Sequence, residues 1–364
     1  MSLLDRLKAQ IAQDGPIGVP EFFTRCLHDP RDGYYALRPD LGAGGDFITA
    51  PLVSQMFGEL IGLWVLETWT RMGRPSPVRL VEMGPGDGTL MSDLLRAGKL
   101  DPEFLAAAQV WLVEVSGPLR AKQAAKLGEI PRWVERLDEV PAGPMILVAN
   151  ELLDCLPARQ FVRTESGWAE RVIGLGEDGA LAFGLRALSA KGPSTGSAGP
   201  PPPNGEESLP VGAVLESSPA QAALASDIAH RLLTDGGAAL LIDYGRDVLE
   251  AGDTLQAVRG HQKVDPLTTA GLADLTVWAD FPSVVAAARA TGAKAGPVLT
   301  QAQFLLALGI EARAQALASA RPDRAEQIAR QLDRLVGKAQ MGALFKVACL
   351  TAPDLSPPLF EDAT

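Results

Sequence analysis

The sequence predicts an α/β fold: a mostly parallel central sheet with helices on both faces, plus a helical N-terminal region and β-hairpin and helical insertions. Two observations carry this expectation. Short apolar runs rich in Val, Leu and Ile recur at residues 78–83, 110–115, 145–149 and 238–242, each too short for a helix. Such runs read as strands buried on both faces. Helix-like stretches separate them, for example 90–95 and 118–127, and strands alternating with helices build a parallel sheet through right-handed crossovers.

The elements follow in order. Residues 1–75 read as a helical N-terminal region, with an amphipathic helix over 1–11, a helix over 54–66 and a breaker at Arg74-Pro75-Ser76-Pro77, where proline ends regular structure. Residues 76–157 hold the first three strand runs and form the first half of the central domain. Residues 158–217 form a β-hairpin insertion. Up to 188 the residues alternate around the turn Glu177-Asp178-Gly179, and 189–208 is a Pro-, Gly- and Ser-rich stretch, read as a mobile loop. Residues 218–350 complete the domain, with a helix over 218–233, the fourth strand, a helical insertion, a long polar helix over 322–335 and a strand over 344–350. Residues 351–364 are a tail. No internal repeat is visible.

At 364 residues the chain can bury one large core and an accessory lobe. It is 47% apolar and 21% charged, the balance of a globular chain. A formal net charge of −11 repels phosphate backbones, which argues against nucleic-acid and anionic-membrane partners and suits a basic protein substrate. Cys26, Cys155 and Cys349 are far apart, no CxxC pair occurs, and there are three histidines. Neither a disulfide framework nor a metal site is expected, and each cysteine reads as a small buried hydrophobe. Residues 1–11 lack the apolar run of a signal peptide, and no run reaches the roughly 18 apolar residues of a spanning helix. Membrane insertion is therefore not expected, and the location expected is cytoplasmic or an organelle matrix.

The strongest local signal is Val81-Glu82-Met83-Gly84-Pro85-Gly86-Asp87-Gly88-Thr89-Leu90. A buried strand ends, glycines turn the chain, and a helix starts near Gly88 with Asp87 as its expected N-cap. Glycine lets a ligand approach the backbone, and N–H groups at a helix start bind anionic groups. A dinucleotide fingerprint needs a third glycine where this chain has Thr89, and Glu82 and Asp87 would repel a pyrophosphate. S-adenosylmethionine has no phosphate and carries a sulfonium and an ammonium, which acids suit. By itself such a turn is also an ordinary strand–helix connection. Glu114, at the tip of the second strand run, has the place of a carboxylate that accepts ribose hydroxyls; otherwise it is a solvated strand-end charge. At the third tip, Asn150, Glu151 and Asp154 cluster where open α/β sheets bind ligands, although Asn150 could instead cap a helix whose first turn carries the two acids.

Further blocks extend the pattern: Gly45-Asp46-Phe47-Ile48-Thr49-Ala50-Pro51, Ser54-Gln55-Met56-Phe57-Gly58-Glu59, Asp154 to Pro157, Asp243-Tyr244-Gly245, Ala273-Asp274-Leu275-Thr276, Asp280-Phe281, Gln303-Phe304-Leu305 and Leu308-Gly309-Ile310. Together with the Gly-rich loop and Ala149-Asn150-Glu151, they resemble the MidA-type S-adenosylmethionine methyltransferases across nearly the whole chain. That family includes a mitochondrial assembly factor of respiratory complex I that methylates an arginine of a complex I subunit. The resemblance implies a Rossmann-like methyltransferase fold and S-adenosylmethionine as cofactor. It also implies arginine N-methylation of a complex I (NADH dehydrogenase) subunit, in the bacterial cytoplasm or the mitochondrial matrix. It places the segment with Asp46 and Thr49 over the cofactor pocket. The chain departs from the family at Leu52 and Ala343, where acids are expected, and in the Pro-rich stretch near 200.

The cofactor-binding set is then Asp46, Thr49, Glu82, Gly84, Pro85, Gly86, Asp87, Gly88, Glu114 and Asn150. The catalytic set is Glu151, Asp154, Asn150 and Asp274. Arginine stays protonated at neutral pH, so carboxylates must hold its fork; Asp280 is a further acid, and His261 a weaker pocket residue. Glu151 and Asp154 are expected one helical turn apart on a shared face, with Glu151 facing the substrate. The rival readings are a methyltransferase of a small molecule or another protein side chain, and a non-catalytic assembly factor that keeps the fold. A homodimer is compatible with each.

Overall fold

The computed structural model describes residues 1–37, 49–188 and 209–361. Asp46 and the Pro-rich stretch 189–208 lie outside the described residues.

The central sheet contains β1 (Val78–Met83), β2 (Ala108–Val113), β3 (Arg132–Val134), β4 (Met145–Asn150), β5 (Gly237–Arg246), β6 (Lys294–Ala295) and β7 (Phe345–Thr351), in the order β6-β7-β5-β4-β1-β2-β3. Strands β1 to β5 are parallel, and β7 runs antiparallel to β5 and to β6. All six residues of β4 and all ten of β5 are buried, as their continuous apolar runs require. The chain builds β1, β2 and β3 outward in one direction, then returns to lay β4 on the other side of β1. The order therefore reverses between β1 and β4, and the crevice beyond the carboxyl ends of the strands there is the place for a ligand.

Helices cover both faces. On one, Gln55–Arg71 and Thr89–Gly98 bury Met56, Phe57, Trp64, Leu90 and Leu94 against Leu80, Ile146 and Val148. On the other, Pro219–Asp235 and Phe281–Ala290 bury Ile228, Leu232, Phe281 and Val284 against Val81, Leu147 and Leu241. The insertion is an antiparallel sheet of Arg159–Thr164, Gly167–Leu175, Leu181–Ala187 and Val214–Ser217, joined by Ile17–Gly18. Helices Leu3–Asp14 and Val19–His28 pack into a third core with this lobe, through Leu7, Phe22 and Phe23 against Ile173, Leu275 and Val277. Much of the N-terminal helical region thus supports the insertion, and its covering part begins only near His28. No described helix is long and apolar enough to cross a membrane.

Candidate active site

A cavity of about 320 Å³ opens at the carboxyl ends of β1, β2 and β4. Its floor is the Gly-rich loop. Gly84, Gly86 and Gly88 all take positive φ, at 64°, 55° and 82°, a region that side chains with a Cβ disfavour. A Cβ on Gly84 would also come within 3.0 Å of Leu152. Gly84, Pro85, Gly86 and Asp87 line the cavity, whereas Gly88 lies behind it as the N-cap of helix Thr89–Gly98. Asp87, expected as that cap, instead precedes it: its Oδ1 accepts from the Thr89 N–H at 3.0 Å, and Oδ2 from Lys126 Nζ at 2.6 Å. Burial alone would raise the Asp87 pKa, but Lys126 and Thr89 outweigh it and hold it low. Asp87 is therefore a neutralised acid, and the acid without a cation in this turn is Glu82. Burial and then the Asp87 charge push the Glu82 carboxyl well above its usual range. Its Oε2 is buried without a hydrogen-bond partner among the described residues.

Glu114 follows β2 directly and lines the cavity. Its Oε1 accepts from the Ser116 N–H at 2.8 Å, and Oε2 from Gln123 Nε2 at 3.3 Å. Burial raises its pKa, and each oxygen keeps a lone pair for a hydroxyl donor. Glu114→Ala should leave the fold intact and weaken S-adenosyl-homocysteine binding by about 1–3 kcal/mol, the range for hydrogen bonds to a charged group. Calorimetry measures this, and unchanged affinity in a folded variant would return Glu114 to a structural role.

The other end of the cavity is acidic and aromatic. Thr49, Asn150, Glu151, Asp154, Asp274 and Tyr244 line it, with Tyr35, Cys155 and His28 beside them. Sequence reasoning missed Tyr35, Tyr244 and Cys155 as site residues. Cys155, expected to be a plain buried hydrophobe, has its Sγ 2.8 Å from the Tyr35 hydroxyl, and His28 stacks on Tyr35 with centroids 5.6 Å apart. Tyr244 donates its hydroxyl to Asp154 Oδ2 at 2.6 Å, while Asp154 Oδ1 is buried without a hydrogen-bond partner among the described residues.

The expected helix through Glu151 and Asp154 is absent. Residues 151–156 form turns and bends, because Asp243 in the last third of β5 takes the N–H groups of Leu153 and Asp154 at 2.8 and 3.1 Å. Glu151 itself has φ 53°. The two acids still share the cavity, but through this turn and not a helical face. Glu151 Oε1 accepts from the Ala50 N–H at 2.9 Å and from Asn150 Nδ2 at 3.0 Å, which ties the segment after Thr49 to the β4 tip. Asp280 is a helix cap: its carboxylate holds the Ser283 N–H and hydroxyl at 3.3 and 2.8 Å. His261 sits in an exposed turn at φ 62°. Neither lines the cavity.

Burial raises the Glu151 carboxyl from 4.5 to about 7. Between these values the folded chain holds a proton that the unfolded chain has released, so this group makes stability fall as pH rises through that window. Glu151→Gln removes the titration and can keep the bond from Ala50. The variant should gain stability relative to wild type from about pH 5 to about pH 8. Thermal melting across that range tests it; a pH-independent difference would contradict the shift.

Comparison with known proteins agrees with this geometry. Residues 60–298 match the Methyltransf_28 family, S-adenosyl-L-methionine-dependent methyltransferases. The chain is 36% identical over 372 residues to a Danio rerio protein named protein arginine methyltransferase NDUFAF7, mitochondrial, covering 95% of this chain and 86% of that one. It is also 36% identical over 375 residues to the Drosophila melanogaster homolog of that name, covering 95% and 84%. A crystal structure from Burkholderia thailandensis, bound to S-adenosyl-homocysteine, superposes with a TM-score of 0.81 at 29% identity, covering 96% of this chain and 91% of that one. The first two are named mitochondrial, where the sequence left cytoplasm and matrix both open. With the Gly-rich floor, the unpartnered Glu82 oxygen and the strand-tip Glu114 all fitting an adenosyl ligand with a cationic tail, the chain belongs to the S-adenosylmethionine-dependent methyltransferase family.

Proposed function

We propose that this methyltransferase acts on an arginine side chain of a protein, that the protein is a subunit of respiratory complex I, and that the modification supports assembly of the complex. The observation that carries the reading is the acidic end of the cavity, where Glu151, Asp154 and Asp274 converge beside Tyr244. Neither Glu151 nor Asp154 is in a salt bridge among the described residues, and Asp154 presents a buried, unpartnered carboxylate oxygen. A planar cation is a group that such an acidic end can hold. The relatives named protein arginine methyltransferases support the same substrate class. The workplace proposed is the mitochondrial matrix, or the cytoplasm in a bacterium.

S-adenosylmethionine, when bound, supplies an electrophilic methyl group on its sulfonium. Asp154 Oδ1 accepts one guanidinium N–H, and Tyr244 fixes the carboxylate by holding Oδ2. Asp274 lines the same end of the cavity, and Glu151 holds the covering segment through Ala50. These groups orient one nitrogen and place charge about the reacting cation. The proton released by the guanidinium is taken at Asp154 Oδ1, a group whose pKa burial raises.

The test is mass spectrometry of complex I subunits from cells with and without the gene. The expected result is one arginine methylated only when the gene is present, reproduced by purified chain, S-adenosylmethionine and the subunit. Unchanged subunits together with methylation of a small molecule would establish the rival methyltransferase reading.

A further inference from the structure

Behind the cofactor end of the cavity lies a residue to which no role has been assigned. Gln123 is fully buried on the inner face of helix Gly117–Leu127. Its Nε2 donates to the Gly86 carbonyl at 2.8 Å and to Glu114 Oε2 at 3.3 Å, and its Oε1 accepts from Trp133 Nε1 at 2.8 Å. An indole nitrogen can only donate. Trp133 therefore forces the amide oxygen toward itself and turns both amide hydrogens toward the cofactor side. One hydrogen reaches the glycine loop and the other the strand-tip acid. Both donors of one amide thus tie together the two elements that the cavity uses for an adenosyl ligand. The Ser116 N–H holds the other Glu114 oxygen at 2.8 Å, so the carboxylate is clamped from both sides on its protein edge. Glu114 lines the cavity and keeps lone pairs for further donors.

We propose that Gln123 is a positioning residue for cofactor recognition: it locks Glu114 to the Gly-rich loop so that the carboxylate meets the ribose diol in one orientation. The proposal rests on the reading of Glu114 as the ribose acceptor. It predicts that Gln123 acts on the hydroxyl contact and not on affinity alone. A merely structural glutamine would weaken all adenosyl ligands equally, whereas a positioning residue affects selectivity for the hydroxyls.

The experiment is calorimetry of the full chain with S-adenosyl-homocysteine and with its 2′-deoxy analogue. Wild type should bind the deoxy compound about tenfold more weakly, the effect of losing a hydrogen bond to a charged group. Gln123→Met, which fills the same space without the amide, should bind S-adenosyl-homocysteine about tenfold more weakly and discriminate against the deoxy analogue less than about twofold. If Gln123→Met keeps tenfold discrimination, the proposal is overturned and Gln123 is core packing. If wild type binds both ligands equally, the ribose reading of Glu114 fails first, and the proposal with it. Should Gln123→Met not fold, Trp133→Phe serves instead. It removes the donor that orients the amide from a site outside the cavity, and should reduce the discrimination several-fold; full retention there likewise overturns the proposal.

Discussion

Asp154→Asn should lower methyl transfer about 10²–10³-fold, the scale for removing a proton acceptor or a preorganised charge partner, while S-adenosyl-homocysteine affinity stays at the wild-type value. The amide has the carboxylate's shape, and its oxygen can still accept from Tyr244. The atom in the place of Oδ1 then becomes an NH₂ that opposes the guanidinium donors and takes no proton. Glu151→Gln should do less harm. Its Oε1 is already engaged by Ala50 and Asn150, and glutamine can keep that oxygen. Sequence spacing alone ranked Glu151 as the substrate-facing acid and Asp154 as its helper. The reading proposed here ranks them the other way, because Asp154 keeps a buried carboxylate oxygen without a hydrogen-bond partner among the described residues, whereas Glu151 Oε1 is engaged. Single-turnover assays on the proposed substrate, a complex I subunit, decide between them. Wild-type turnover in Asp154→Asn would move the role to Glu151 or Asp274.

Five of the seven central strands were legible because they are apolar runs that needed no knowledge of partners, whereas the short, partly exposed β3 and β6 were not read. The second run was read two residues late, at 110–115 against Ala108–Val113, yet Glu114 still fell at the tip. The Gly-rich floor was legible for a related reason: three left-handed backbone positions within five residues demand glycine wherever they occur. What could not be read was set by contacts far along the chain. Asn150 to Asp154 carry acids and leucines at helical spacing, but Asp243, some ninety residues on, captures their N–H groups and keeps the turn open. Tyr35 reaches Cys155 across 120 positions. Asp243-Tyr244-Gly245 was recognisable as a block without any sign of what each residue does. Gln123 is one polar residue on a helix with other polar residues, and only burial distinguishes it.

Asp243 is also where the largest loss of stability is expected. It is fully buried, with Oδ2 accepting from the Leu153 and Asp154 N–H groups and Oδ1 from the Tyr244 N–H at 2.8 Å. Asp243→Ala strands three buried donors, each costing about 1–3 kcal/mol if water cannot replace the carboxylate. Against this, burial and the neighbouring charges of Asp154 and Glu151 already push the Asp243 carboxyl well above its usual range, so its removal also relieves a poorly solvated acid. The donors outnumber that single relief, and a net loss of roughly 3–5 kcal/mol is expected, the range of broken buried networks. Asp243→Asn should fall between the two, because one amide oxygen can serve only one edge and its NH₂ then opposes the donors on the other. Urea unfolding measures both variants. The turn that carries Asp154 should loosen with them, so methyl transfer should fall in step with stability. A loss below about 1 kcal/mol in Asp243→Ala would mean that solvent reaches the turn and that something other than Asp243 sets the position of Asp154.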